Sequence, residues 1–160
     1  MAASKQVDMT GVYGHAMDEA VQEVFSLMMG IRCASVADRP ADEAETISSL
    51  IGLAGAMSGT CVLRCDVQAA RRIAEALTGL EFQSLDDTVK DAMGEVGNMV
   101  TGAWKGRYPE LASNCMLSTP TVVTGSNYQL HTQRPELRIE RYYRFEAYSF
   151  SFSVVCESRQ

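Results

Sequence analysis

The run from Val89 to Ala103 constrains the fold most, because its apolar residues recur at helical spacing over about four turns. On a helical wheel of about 100° per residue, one arc collects the apolar side chains. These are Val89, Ala92, Met93, Val96, Met99, Val100 and Ala103. The opposite arc, which we name the outer stripe, consists of Asp91, Glu95, Asn98 and Gly102. The pattern predicts a long helix that packs one face against a core and exposes the outer stripe.

Local signals set the ends of this helix. Ser84 is the expected N-cap, and the acidic Asp86 and Asp87 fall in the first turn, where the helix dipole favours negative charge. The helix should reach Lys105 or Arg107 and stop before the proline at position 109, which cannot continue it.

Four glycines within one helix are unusual, since each costs about 1 kcal/mol relative to alanine. They are Gly94, Gly97, Gly102 and Gly106. Gly94 and Gly97 lie on the flank of the apolar arc, where a neighbouring helix or strand can approach closely. Gly102 lies in the outer stripe, where the missing side chain lets the backbone of another molecule come close.

The outer stripe holds carboxylates beside a carboxamide, and two interpretations are open from the residues alone. Most polar stripes are solvated helix faces. Asparagine is a poor choice for an exposed position in mid-helix, however, because its side chain competes for backbone hydrogen bonds. The alternative is a surface through which Asp91, Glu95 and Asn98 act on another molecule.

Two further helices and several strands are predicted around this helix. The helices are residues 15–29, ended by Gly30, and residues 66–77, capped by Asp66 and followed by Gly79. The strands are residues 31–36, 46–54, 60–65, 121–124, 128–133, 137–145 and 148–156. Apolar residues alternate with serines in the last strand, which is typical of a sheet with one buried face, and the apolar face changes near Glu146, which predicts a bulge or bend. We expect one α+β domain over residues 15–160, an antiparallel-rich sheet packed against long helices, after a lead-in of residues 1–14.

Charge and hydropathy exclude several classes of function. The net charge of -6 and the pI near 4.9 disfavour nucleic-acid binding and an anionic membrane surface, which both need a basic face. No apolar run approaches the roughly 20 residues of a transmembrane helix, and the first ten residues lack the apolar core of a signal peptide. We therefore expect a cytoplasmic protein.

The five cysteines are odd in number and irregular in spacing, so a disulfide framework is not expected. Cys61 and Cys65 lie in a predicted strand, where four residues span about 13 Å. That separation exceeds the roughly 4.4–6.8 Å between the Cα atoms of a disulfide and is too large for one metal ion. We expect buried thiols and no metal site, ordinary surface histidines at His15 and His131, and a packing role for Trp104.

Asp91-x3-Glu95-x2-Asn98, followed downstream by Pro120, resembles the signature of the CheC/CheX/FliY family of bacterial chemotaxis phosphatases. The flanking residues 85–87, 94–102 and 119–123 are similar to CheX, and the resemblance extends over about residues 15–155. Twenty-one residues separate Asn98 from Pro120, about one fewer than the usual family pattern. CheC-like members carry a second signature on a pseudo-symmetric helix. Here the first helix has Gln22 in place of the asparagine and His15 in place of an acid or serine, which fits CheX better.

The resemblance implies a phosphatase that removes the phosphoryl group from the aspartate of a phosphorylated response regulator such as CheY. The acyl phosphate and Mg²⁺ would belong to the partner, with no cofactor bound by this chain. Asn98 would orient the attacking water, and Glu95 would pair with a cation of the regulator. Asp91 and Gly102 would contact the partner at the docking surface.

The resemblance also implies a homodimer formed by sheet pairing, through strand 148–156 or a neighbouring edge strand. A second interpretation is a non-catalytic interaction domain of the same fold, as in the middle domain of the flagellar switch protein FliM. The intact Glu95 and Asn98 favour the enzyme. A redox or metal protein is disfavoured by the cysteine spacing.

Overall fold

The structure, a computed structural model, describes residues 9–41, 45–133 and 135–157. In chain order the elements are α1 (Met9–Met29), β1 (Ala34–Val36), β2 (Thr46–Gly55), β3 (Gly59–Asp66), α2 (Val67–Thr78), α3 (Asp87–Lys105), α4 (Pro109–Ala112), β4 (Cys115–Leu117), β5 (Thr121–Gly125), β6 (Pro135–Phe145) and β7 (Tyr148–Glu157). The seven strands in these described residues form one antiparallel sheet, with the order β1-β6-β7-β3-β2 and with β4 and β5 both beside the far edge of β2. The predicted α+β class is confirmed.

The core lies between the sheet and the helices α1, α2 and α3. Helix α3 packs against both other long helices and against β2. Phe25 of α1 stacks on Phe150 of β7 with ring centroids 4.8 Å apart, and both rings are buried. Leu63 and Phe152 oppose each other on β3 and β7 and are fully buried in the same core. The long helices therefore pack against an apolar face of the sheet.

The capping residues expected from the sequence locate the ends of α2 and α3 to within a few residues. The carboxylate of Asp66 accepts a hydrogen bond from the backbone N–H of Ala69 at 2.7 Å, and Gly79 ends α2 with a φ of 75°. Helix α3 ends at Lys105 as predicted, but its N-cap is Asp86 rather than Ser84. The Asp86 carboxylate accepts from the backbone N–H of Val89 at 3.0 Å. The helix starts later than predicted because the side chain of Asp86, and not that of Ser84, caps it.

Helix α1 begins at Met9 rather than near His15, so the described part of the predicted lead-in is helical and residues 1–8 lie outside the described residues. No strand forms over residues 128–133. Instead the Tyr128 hydroxyl lies 2.6 Å from Ser48 Oγ, on the face of the sheet opposite the helices. The alternation of residues along the chain predicted a strand here. The segment is instead tied to β2 by the contact between Tyr128 and Ser48, which are 80 positions apart.

The change of apolar face near Glu146 comes from a turn and not from a bulge. Phe145 and Tyr148 pair directly, so Glu146 and Ala147 form a two-residue hairpin loop, with Glu146 at a φ of 51°. The resulting β7 lies between β6 and β3. Strand 148–156 is therefore not an edge strand, and its predicted role in sheet pairing between protomers is wrong.

Candidate functional site

The outer stripe is solvent-facing along α3. Asp91, Glu95 and Asn98 are exposed and Gly102 is half-buried, whereas the apolar arc on the opposite side of the helix is buried almost throughout. Within the described part of the chain, the side chains of Asp91, Glu95 and Asn98 form no hydrogen bond or ion pair. Two carboxylates and one carboxamide are thus available to another molecule without breaking a contact of this one.

Helix geometry fixes how Glu95 and Asn98 are presented. Residues three apart are neighbours on a helix surface and are displaced by about 4.5 Å along the axis. The backbone of α3 is held by its own hydrogen bonds and by the sheet beneath it, so the Cα atoms of the two residues keep a constant spacing. One acceptor-only anion and one group that both donates and accepts are displayed side by side.

Gly97 brings this helix close to the sheet. A Cβ atom at Gly97 would lie 2.9 Å from Ser49 Cβ and closer still to Ser49 Oγ, so no side chain fits there. Ser49 lies in β2 and is fully buried. The sequence predicted a close approach at this flank, and the contact with β2 confirms it.

Gly94 serves the same purpose on the neighbouring flank. A Cβ there would lie 3.2 Å from Pro120 Cβ and 3.5 Å from Val122 Cγ2. The exposed residues 118–121 therefore form a wall directly beside the outer stripe. Pro120, which the sequence singled out only through a family resemblance, packs against the helix that carries Glu95 and Asn98.

Gly102 differs from these two glycines. A Cβ at this position would meet only Leu117 Cδ1, at 4.0 Å, which is ordinary van der Waals contact. The packing of the described residues does not require glycine here. That leaves room for the prediction that Gly102 admits another molecule, which no contact within this chain tests.

Ser118 holds the wall in place through hydrogen bonds to β2, although no pattern in the sequence singles it out. Its backbone N–H donates to Gly52 O at 2.9 Å, and its Oγ accepts from the Gly52 N–H at 2.8 Å and donates to Thr119 O at 3.0 Å. These bonds bridge the gap between β4 and β5, where that edge of β2 has no strand partner while β3 pairs with its other edge. We name the hydrogen bonds between Ser118 and Gly52 the Ser118 clamp. No local sequence pattern predicts this clamp, because it depends on where β4 and β5 end along β2.

Replacing Ser118 with alanine should loosen the wall. The Gly52 amide loses its acceptor, and the change should raise its hydrogen-exchange rate about fivefold, the equivalent of roughly 1 kcal/mol for one hydrogen bond. Amide exchange followed by NMR measures this. Ser113→Ala is the matched control, because Ser113 is exposed and its side chain forms no hydrogen bond among the described residues. Unchanged protection of the Gly52 amide would show that the clamp is not formed in solution.

The corresponding face of α1 is occupied by contacts of its own. Glu19 lies 2.9 Å from His15 Nε2 and 3.2 Å from Arg107 Nε, and Arg107 also pairs with Glu23 at 2.6 Å. Gln22 is exposed between these groups. This face therefore ties α1 to the end of α3, in contrast to the unpartnered outer stripe.

The remaining candidates have structural roles. Trp104 is fully buried and packs against Tyr13, which confirms the predicted packing role. All five cysteines are free thiols. Burial raises the pKa of Cys33 to about 12 and that of Cys156 to about 11, and it also raises the pKa values of Cys61 and Cys65. Thiols with raised pKa values stay protonated at neutral pH, which makes them poor nucleophiles and poor metal ligands.

In the described ranges, no three His, Cys, Asp or Glu side chains are grouped so that they could hold a metal ion. None of the helices described is both long and apolar enough to cross a membrane.

Residues 47–140 match the family model for the chemotaxis phosphatase CheX, which is more than half of the 160-residue chain. The chain belongs to the CheX family. The match contains α3 with its outer stripe and the wall at residues 118–121. The resemblance seen in the sequence is therefore confirmed.

Individual relatives agree with this assignment. The CheY-P phosphatase CheX of Thermotoga maritima is 27% identical over 87 residues, which are 54% of this chain and 56% of that protein. The match thus spans about half the length of that curated relative. A crystal structure of a chemotaxis protein CheX from Desulfovibrio desulfuricans has a TM-score of 0.76 at 22% identity, covering 91% of this chain and 99% of that one.

Two further structures share the fold. The CheX of a CheX–CheY–BeF3–Mg²⁺ complex from Borrelia burgdorferi has a TM-score of 0.72 at 18% identity, covering 91% of this chain and 98% of that chain. The FliM middle domain from H. pylori has a TM-score of 0.64 at 11% identity, with 91% and 87% covered. At these identities the likeness establishes the fold alone.

Proposed function

We propose that this protein dephosphorylates the phospho-aspartate of a CheY-like response regulator and acts as a hydrolase in the cytoplasm. The observation that carries the proposal is the outer stripe, in which Glu95 and Asn98 are exposed, adjacent and unpartnered on a rigid helix. Membership of the CheX family and a relative named as a CheY-P phosphatase support it.

In this proposal Asn98 enters the active site of the regulator and orients the attacking water. Its carboxamide oxygen accepts a hydrogen bond from the water and holds the water in line with the phosphorus. Phosphoryl transfer needs little covalent chemistry from the protein, so positioning of this kind supplies much of the rate enhancement. The Mg²⁺ and the acyl phosphate belong to the regulator, and this chain supplies no cofactor.

Glu95 pairs with a cation of the regulator and sets the register of docking. Its carboxylate has no partner among the described residues, so it forms the new ion pair without first breaking an old one. Asp91 extends the negative edge of the same surface. Gly102 lets the regulator's backbone approach the helix at the end of the stripe.

Replacing Glu95 with glutamine should weaken docking. The loss of one charge-assisted hydrogen bond should raise the regulator concentration for half-maximal rate about tenfold. Steady-state phosphate release at several regulator concentrations measures this. Glu136→Gln is the control, because Glu136 is an exposed acid on β6, three strands away from β2. If the two substitutions have equal effects, then Glu95 contributes to docking only through the net charge of the protein.

We also propose a homodimer through an edge of the sheet. β1 pairs with β6 only at Tyr142–Arg144, so most of β6 is left as an open edge among the described residues. Open edges favour pairing with another strand. Sedimentation of a monomer at micromolar concentration would contradict this proposal.

The decisive experiment for function is a screen of phosphorylated response regulators from the same genome. The protein should accelerate phosphate release from one of them, and the Asn98→Ala variant should not. If the wild-type protein binds a regulator and leaves its dephosphorylation rate unchanged, the protein is a non-catalytic interaction domain of this fold.

A further inference from the structure

A cavity lies on the face of the sheet that carries no helix, away from the outer stripe. We name it the sheet cavity. Its volume of about 340 Å³ falls in the range of small-molecule sites, roughly 300–1,000 Å³. The segment at residues 39–41 and the hairpin at residues 147–148 form its walls, and strands β2, β3, β6 and β7 form its floor.

Strand register shows which side chains share this floor. Arg64 pairs with Ser151, and Ser151 pairs with Tyr142 across β7 and β6. Their chain neighbours Cys65 and Phe150 are buried on the helix side. Since side chains alternate along a strand, the row Arg64–Ser151–Tyr142 points away from the helices.

Three arginines line the sheet cavity: Arg39, Arg64 and Arg144. Within the described ranges, none of these three forms an ion pair with a carboxylate. Arg72, Arg107 and Arg141 each do so elsewhere in the molecule. In a chain with 20 acidic and 14 basic residues, three guanidinium groups at one cavity without an ion-pair partner among the described residues are a local excess of positive charge.

The two acids in the lining, Asp66 and Glu140, offset two of the three arginine charges, so the lining keeps a formal charge of +1. The carboxylate of Asp66 accepts a hydrogen bond from the backbone N–H of Ala69 as the N-cap of α2. Glu140 is the second acid in the lining.

Arg64 is held in place by an aromatic ring, since its Cζ lies 4.8 Å from the ring centroid of Tyr128. A guanidinium fixed by an aromatic ring loses less entropy when it binds an anion.

A buried hydroxyl in the wall gives an independent indication of a polar occupant. Thr46 lines the cavity and is only 6% exposed, and its Oγ1 has no hydrogen-bond partner among the described residues. An unpartnered buried hydroxyl carries a free-energy cost that a bound polar group can remove. Ser149 and Tyr148 add further hydroxyls to the lining.

We propose that the sheet cavity binds a small phosphorylated compound, with Arg39, Arg64 and Arg144 around its phosphate. The planar guanidinium fork matches phosphate oxygens in bidentate fashion, and the serine and threonine hydroxyls supply neutral donors. Tyr142 and Tyr148 in the lining offer an aromatic surface to a base or another flat group. This site is separate from the outer stripe and does not depend on the proposed phosphatase activity.

Calorimetric titration of the whole protein with inorganic phosphate, pyrophosphate and adenosine monophosphate tests this. At least one of the three should bind saturably, more weakly at high salt, and should shift the amide NMR signals of Ser149 and Ser151. Arg144→Gln should weaken that binding about tenfold, as expected for the loss of one charge-assisted contact. Tighter binding of adenosine monophosphate than of the two inorganic anions would indicate that the tyrosines contact the adenine base.

Arg32→Gln is the matched control, because Arg32 is an exposed arginine outside the cavity lining. It should leave binding unchanged, and Arg64→Gln should repeat the effect of Arg144→Gln while the phosphatase assay stays at the wild-type rate. No saturable binding of any of the three probes would overturn the proposal. Equal binding by the Arg144→Gln and wild-type proteins would do so too, since the anion would then be bound elsewhere.

Discussion

The Asn98→Ala variant should lose stimulated phosphate release by about 100-fold or more while it still binds the phosphorylated regulator. The size follows from comparable cases, in which removal of one group that orients or stabilises a reacting centre costs about 10²–10³ in rate. Docking survives because Glu95, Asp91 and Gly102 remain on the same exposed stripe. Single-turnover phosphate release at saturating enzyme measures the rate, and binding is measured separately with a non-hydrolysable phosphoryl mimic on the regulator.

The chain supplies a matched control for this substitution. Gln22 is an exposed carboxamide on α1, and its side chain has no hydrogen-bond partner among the described residues. Gln22→Ala removes the same chemical group from a helix whose neighbouring acid, Glu19, is tied to Arg107. It should leave the rate unchanged. If both variants lose the same share of the rate, then the loss does not depend on the position of the carboxamide. A full rate in Asn98→Ala would exclude Asn98 as the group that orients water.

Asn98→Gln separates position from chemistry. The carboxamide is kept, but one extra methylene displaces it by more than an ångström, and misplacement on this scale costs about 10² in rate. Because α3 is anchored to the sheet, the helix cannot shift easily to compensate. A variant with nearly normal rate would show that the water is held loosely.

Local signals in the sequence predicted most of the helical framework. Asp66 and Gly79 bound α2 as expected, and α3 ends at Lys105, because caps and apolar periodicity act within a few residues of each other. The outer stripe could be derived for the same reason, since its exposure follows from the position of the apolar arc.

Features that depend on distant contacts were not predictable in this way. Residues 128–133 alternate like a strand, yet Tyr128 contacts Ser48 and its ring packs against Arg64 on the face of the sheet away from the helices. The Ser118 clamp depends on a gap between β4 and β5 along β2. Pro120 was identified only through a family resemblance, and the structure supplies the physical reason, which is its contact with Gly94.

Gly97→Ala should destabilise the fold more than alanine at either Gly94 or Gly102 of the same helix. The new Cβ would lie 2.9 Å from Ser49 Cβ and closer to Ser49 Oγ, and both atoms are fully buried, so neither can move aside cheaply. Overpacking of this kind costs about 1–3 kcal/mol, which exceeds the roughly 1 kcal/mol that alanine gains over glycine in a helix. Chemical denaturation, followed through the single Trp104, measures the free energy of unfolding.

Gly102→Ala is the control within the same helix. Its Cβ meets only Leu117 Cδ1 at 4.0 Å, so the helical preference of alanine should raise the free energy of unfolding by up to about 1 kcal/mol. Under the proposed function it should also weaken regulator binding, because the added methyl group faces the partner. Destabilisation by Gly102→Ala as large as that by Gly97→Ala would mean that the contact with Ser49 is not the cause.

The cause can be isolated by changing the other side of the contact. Ser49→Gly removes both atoms that the alanine Cβ would strike, so the double variant should recover part of the stability lost in Gly97→Ala. Ser49→Ala should recover less, because its Cβ stays in place. Phosphate release should follow the same order: a helix lifted from β2 also moves Asn98, the next residue along the chain, away from the position in which it holds the water. If the rate falls in Gly97→Ala and the double variant does not restore it, then the distance between α3 and the sheet does not set the position of Asn98.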